Sequence, residues 1–173
     1  MDTKRLVVNH RKEEHMTHIV AILPEEVKGT GICSRIYFEN TTIIDTRTPT
    51  LYLETMYKKQ GRTKKEMDKK IKAYLQINKN LPYQIDAGHV FFGFKYRQAI
   101  YDNQGRGFVN VRFVDHIKDT EIVLDTGETI ATLNQKDSLI ANMNHARHLL
   151  TLEMLDDAIS RESTIRYITG RLR

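Results

Sequence analysis

The chain has 173 residues, with 27 Lys and Arg against 22 Asp and Glu, a formal net charge of +5 and a pI near 9.3. Three prolines and nine glycines exclude a low-complexity chain, and a lone cysteine, Cys33, excludes an intramolecular disulfide and fits a reducing compartment. The length suits one domain, and no run of 18 apolar residues offers a transmembrane helix. The charged start MDTKRLVVNHRKEEH lacks the apolar core of a signal peptide, so a cytoplasmic protein is expected.

Met1 to Thr17 is charged and patternless apart from Leu6, Val7 and Val8, and reads as a short strand or ordered arm. His18 to Leu23 (HIVAIL), stopped by Pro24, reads as a buried strand, and Pro24 to Gly31 as a turn. Ile32 to Phe38 and Thr42 to Asp45 read as a hairpin closed by Glu39, Asn40 and Thr41. Pro49 ends this strand region. Leu51 to Tyr57 then leads, as a short first helix, to a break at Gly61.

Lys58 to Lys79 (KKQGRTKKEMDKKIKAYLQINK) holds nine basic residues and two acids, a net of +7. The remainder of the chain has 18 basic and 20 acidic residues, so the basic excess lies in this one segment. A single-sign block of this kind suits an anionic partner. Thr63 and Glu66 form a T-x-x-E capping box, and Met67, Ile71, Tyr74 and Leu75 recur at helical spacing. The spacing predicts an amphipathic helix over about 64–77, with Lys65, Lys69 and Lys72 on the solvent face. A lysine face also keeps a helix soluble without further purpose. The concentration of charge favours a binding surface, with nucleic acid the first partner class and an anionic membrane surface the second.

Beyond Asn80, Tyr83 to Asp86 and His89 to Lys95 read as strands joined at Asp86-Ala87-Gly88, with Phe91, Phe92 and Phe94 in an aromatic core. Arg97 to Gly107 is a polar loop. Arginine, asparagine and glutamine at such a tip can enter an A·T-rich minor groove, although the same composition serves ordinary turns. Phe108 to Val114 alternates as one strand, and Glu121 to Leu133 is a hairpin turning at Asp125-Thr126-Gly127. A long helix follows, capped by Asp137 or Ser138. One apolar stripe holds Leu139, Met143, Ala146, Leu150 and Met154; a broader one holds Leu149, Leu152, Leu155 and Ile159. That breadth predicts deep burial or a face shared with another subunit. Arg161 to Arg173 reads as a loosely docked basic tail.

These elements predict an α+β fold: a mainly antiparallel sheet or small open barrel of seven or eight strands, a basic amphipathic helix inserted mid-chain and a long C-terminal helix. The whole chain forms one domain, with 58–79 as the basic insertion and 160–173 as the basic tail. Candidate phosphate contacts are Lys58, Lys59, Arg62, Lys64, Lys65, Lys69 and Lys72, and candidate groove contacts are Arg97, Arg106 and Arg112. Leu149, Leu152, Leu155 and Ile159 are candidate dimerisation residues.

Catalytic signatures are missing: there is no Walker loop, G-x-G-x-x-G, nucleophile elbow or H-E-x-x-H. His145 and His148 lie three apart on the last helix, but no carboxylate or cysteine nearby completes a metal site. No enzymatic activity, metal or cofactor is expected.

Three pieces resemble the competence transcription factors of the ComK family: HIVAILPEEVKGTGICSRIYFEN, NKNLPYQID and GFVNVRFVDHIKDTEIVLDTGETIATLNQKDSLIANMNHARHLL. Together they cover about two thirds of the chain in the family's order. Phe108 stands where the family usually has tryptophan, and LYLETMYKKQ replaces its serine- and glycine-rich run. The resemblance implies a cytoplasmic, non-enzymatic activator of DNA-uptake genes. It implies binding to paired A·T-rich boxes of double-stranded DNA, largely through the minor groove, as dimers that assemble in pairs; RNA polymerase is a further partner of such an activator. The other expectation is an interaction module or diverged paralogue that regulates a transcription factor and touches DNA only non-specifically.

Overall fold

The structure is a computed structural model that describes residues 18–98 and 104–170. The expected N-terminal arm, the loop tip at 99–103 and the last three residues lie outside the described residues. Six strands form one antiparallel sheet: β1 (Ile19–Val27), β2 (Gly31–Phe38), β3 (Thr42–Asp45), β4 (Tyr83–Asp86), β5 (His89–Lys95) and β6 (Arg106–Asn110). Their spatial order is β3-β2-β1-β6-β5-β4. A second antiparallel sheet holds β7 (Val114–Lys118), β8 (Glu121–Leu124) and β9 (Thr129–Ala131) in sequential order. With helices α1 (Pro49–Lys59), α2 (Lys64–Leu75) and α3 (Lys136–Gly170), the fold is α+β with both sheets open.

The expected stop at Pro24 is corrected. β1 runs on to Val27 and pairs Pro24 with Ser34, Glu25 with Cys33 and Glu26 with Ile32. Proline lacks a ladder N–H, which a strand tolerates where the side that N–H would face has no paired neighbour. β6 meets β1 only at Ala21 and Ile22, so Pro24 lies where one flank is open.

Alternation along the strands sends apolar side chains to both faces of the large sheet. On one face Ile19, Ile22, Ile36, Ile85, Phe91 and Phe108 pack against Tyr52, Leu53 and Tyr57 of α1. On the other, Ala21, Leu23, Val90, Phe92, Phe94 and Val109 pack against Leu139, Met143, Ala146 and Leu149 of α3 and against Ile117, Ile122 and Leu124 of the small sheet. α2 gives Met67 to the first cluster and Ile71 to the second.

The single strand expected over 108–114 is two strands joined by a 3-10 turn at Val111–Phe113. Asn110 makes the break. Its side-chain oxygen accepts from the Arg112 N–H at 3.2 Å, and its amide donates to the Ile19 carbonyl at 2.9 Å and the Gly88 carbonyl at 2.8 Å. The residue is fully buried, so these bonds satisfy groups that water cannot reach. The turn lets the chain leave the large sheet and begin the small one over its face.

α3 begins at Lys136, one residue ahead of the expected cap region, and continues to Gly170. The tail expected to be loose over 161–173 is therefore helical through Gly170. Its first half is held by the core; every residue from Ala158 to Gly170 is exposed. At 1.5 Å per residue α3 is about 50 Å long, so its second half projects beyond the sheets.

Asn110→Ala removes three hydrogen bonds at the sheet-to-sheet crossing. The expected loss of unfolding free energy, read from urea denaturation, is about 2–4 kcal/mol. A loss below about 0.5 kcal/mol would mean that Asn110 does not hold the crossing.

Candidate nucleic-acid interface

The basic segment is built from its ends inward. Thr48 caps α1, accepting from the Leu51 N–H at 3.5 Å, and Pro49 takes the first helical turn, where its missing N–H has no cost. α1 ends at Gln60, and Gly61 turns the chain with φ of 66°. Thr63 then caps α2, its hydroxyl oxygen accepting from the Glu66 N–H at 3.3 Å and its hydroxyl donating to the Glu66 carboxylate at 2.6 Å. The expected capping box forms, with the reciprocal bond made hydroxyl to carboxylate. α2 stops at Leu75, two residues short of the expected end, because Gln76 adopts a left-handed conformation at φ of 55°.

Four contacts dock α2. Met67 and Ile71 are buried and Leu75 is half-buried, as the periodicity predicts. Tyr74 lies out on the flank, but its hydroxyl meets His148 Nε2 at 3.0 Å, with the rings edge to face at 5.4 Å. Arg62 donates to the backbone carbonyls of Ile85 at 2.8 Å and Gln84 at 3.3 Å, and reaches Glu153 of α3 at 3.4 Å. Tyr57 accepts from the Gln84 N–H at 2.9 Å and stacks on Tyr83. Burial pushes the Tyr57 and Tyr83 phenols well up, so both stay protonated as hydrogen-bonding and stacking groups.

With its apolar side fixed, α2 turns its lysines outward. Lys64, Lys65, Lys69 and Lys72 line a shallow depression of about 550 Å³, with Asp68 between them. Lys64 pairs with Asp68 and lies 5.7 Å from the centre of the Tyr83 ring. Lys65, Lys69 and Lys72 are the exposed cations that line the depression. Tyr83 meets Phe108 edge to face at 5.4 Å, and the Arg106 guanidinium lies 5.8 Å from the Phe108 ring. A continuous row of contacts therefore runs from the lysine helix to Arg106.

The sequence candidates divide by position. Arg97 lies at the same end of the sheet as Arg106: Lys95 pairs with Arg106, and the Arg97 N–H donates to the Gly105 carbonyl at 3.1 Å. Arg112 is exposed in the 3-10 turn beyond the far end of β6, a strand that runs roughly 13 Å from Arg106 to Asn110. Lys58 and Lys59 are exposed in the last turn of α1. Arg62 spends its guanidinium on the β4 edge and on α3, a holding role that composition alone did not separate from phosphate contact. Leu149 is buried in the chain's own core and Leu152 is half-buried against it, whereas Leu155 and Ile159 are each 54% exposed. Sequence reasoning did not single out Tyr83 and the Tyr74–His148 contact; a tyrosine following Pro82 carried no helical or charge signal.

A larger concavity, about 710 Å³, opens between β1, β2 and the β8–β9 hairpin. Its floor is apolar, with Val20, Ala21 and Leu23, and its rim carries Glu39, Asp125 and Glu128, a charge that repels nucleic acid. Among the described residues no group of three His, Cys, Asp or Glu side chains is placed to hold a metal. His148 is engaged by Tyr74 instead. No described helix is long and apolar enough to cross a membrane. Compared with models of known families, with curated proteins and with solved structures, the chain finds no match.

Arg62→Ala frees two β4 carbonyls and Glu153. It is expected to lower stability by about 1–3 kcal/mol in urea denaturation, more than the change for Lys65→Ala on the exposed ridge. Equal small effects for both would remove Arg62 from the scaffold.

Proposed function

We propose that this chain is a cytoplasmic DNA-binding activator of competence genes, the role its resemblance to the ComK family implies. It binds paired A·T-rich boxes of double-stranded DNA, largely through the minor groove, and works by binding with no catalytic step. The observation that carries this reading is the depression on α2, where four lysines converge on a helix docked at both flanks. Lys65, Lys69 and Lys72 neutralise phosphates, supported by Lys58, Lys59 and Lys64. Arg106 and Arg97 share the end of the sheet nearest that helix, and are favoured over Arg112 for the groove. Copies associate through the exposed part of α3, and RNA polymerase is the downstream partner.

One observation favours a second reading. The projecting half of α3 exposes Met154, Leu155, Ile159, Ile165 and Ile168, which suits an interaction module that regulates another factor and touches DNA only non-specifically.

The test is competition between a duplex with two A·T-rich boxes one helical turn apart and a G·C-rich duplex of equal length, with salt varied. An activator prefers the first by two orders of magnitude or more, about 3 kcal/mol. Equal weak binding supports the module. Replacing Lys65, Lys69 and Lys72 with Glu should weaken both duplexes alike and flatten the logarithmic salt slope by about 2.7. Arg106→Ala should remove about 1–2 kcal/mol of the A·T preference while leaving the slope nearly unchanged. Unchanged affinity in the triple variant would take α2 out of the interface.

A further inference from the structure

The projecting part of α3 carries an exposed apolar stripe that no apolar cluster among the described residues covers. Leu155, Ala158, Ile165, Ile168 and Met154 fall within an arc of about 140° that also holds Arg161 and Glu162, and Ile159 extends it to half the circumference. Met154, Leu155, Ile159 and Ile168 are each 54% exposed and Ile165 is 60% exposed. A helical end of this length is marginal on its own, because isolated short helices gain too little from their own hydrogen bonds. A second helix laid along the stripe would bury it.

The order of charges selects the second helix. The acids Glu153, Asp156 and Asp157 lie at the near end, and Arg161 and Arg166 lie further out, with Glu162 between them. Arg161 pairs with Asp157 at 2.9 Å and Arg166 with Glu162 at 2.6 Å, both along the helix surface. A parallel, in-register copy would set each of these charges against its own sign. It would also set small Ala158 against Ala158 and leave a gap. Reversal of one copy about a point near Arg161 and Glu162 changes both. The acidic stretch 153–157 then runs beside Arg166, and Arg161 beside Glu162. Leu155 and Ala158 run against Ile168 and Ile165, small against large.

We propose that residues 154–169 of α3 are the contact with a second copy of this chain, packed antiparallel with the two-fold axis near Arg161 and Glu162. This rests on the association of copies proposed above and adds its orientation and register. Leu149, already inside the monomer core, takes no part. Because Glu153 is also held by Arg62, the dimer helix is joined directly to the segment that carries the lysine ridge. Two copies therefore carry two ridges held at a fixed separation, as paired boxes on one duplex require.

The experiment uses the full chain and no DNA, so its outcome is separate from that of the DNA-binding reading. Sedimentation equilibrium at tens of micromolar should give twice the chain mass. Leu155→Asp with Ile165→Asp should give a monomer whose far-ultraviolet circular dichroism retains the sheet signal, since both residues are exposed in the monomer. Orientation is read by oxidation of single-cysteine variants, Cys33 being buried. Glu162→Cys, beside the axis, should form a disulfide-linked dimer rapidly. Thr169→Cys lies on the same helical face, but in the antiparallel pair its two copies are about 20 Å apart, so it should not cross-link. Cross-linking at both positions means a parallel pair and overturns the register. A monomer at all concentrations, or an unchanged dimer in the Asp variant, overturns the surface itself.

Discussion

The strand β4 ends the large sheet, and the way its free edge is covered decides where the lysine helix lies. An open edge presents unpaired N–H and C=O groups that template pairing with other chains. Here the Gln84 N–H donates to Tyr57, and the Gln84 and Ile85 carbonyls accept from Arg62. Both covering residues come from the α1–α2 unit, so sealing the edge also fixes that unit's position. The charge-rich helix is held by buried apolar contacts and side-chain hydrogen bonds on one side, which leaves its lysines free to meet an anion on the other. Desolvating several lysines together would be costly, and the fold avoids it.

The same fixed edge connects the two halves of the functional proposal. Arg62 reaches Glu153 and Tyr74 reaches His148, both on α3. The helix proposed to carry the phosphate contacts and the helix proposed to carry the dimer are thereby one mechanical unit. Lys64, Tyr83, Phe108 and Arg106 extend that unit across the sheet through ring and cation contacts.

Much of this was legible in the sequence because it is local. Thr63 and Glu66 mark the start of α2, Met67 and Ile71 its buried side, and Gly127 the tight turn of the β8–β9 hairpin. The misreadings were decided by tertiary context. Pro24 looked like a stop, but only a neighbour's absence on one flank tells that a proline can stay in a strand. Asn110 was one member of a clean alternation; its role appears only when Ile19 and Gly88 come within hydrogen-bond reach. Beside these, the contacts of Arg62 to the β4 edge could not be read from its place in a basic run. The helical continuation from Arg161 to Gly170 was hidden because its residues are exposed and none joins the core, and a stripe without a core resembles a tail.

The central claim is that the α2 ridge itself takes the phosphates. Lysine acetylation, quantified residue by residue with and without an excess of the A·T-rich duplex, tests it most directly. Lys65, Lys69 and Lys72 should be protected at least fivefold by the duplex, while Lys28 and Lys118, exposed elsewhere, keep their reactivity. Protection spread evenly over all lysines, or centred on Lys28 or Lys118 with the ridge unchanged, would contradict the claim.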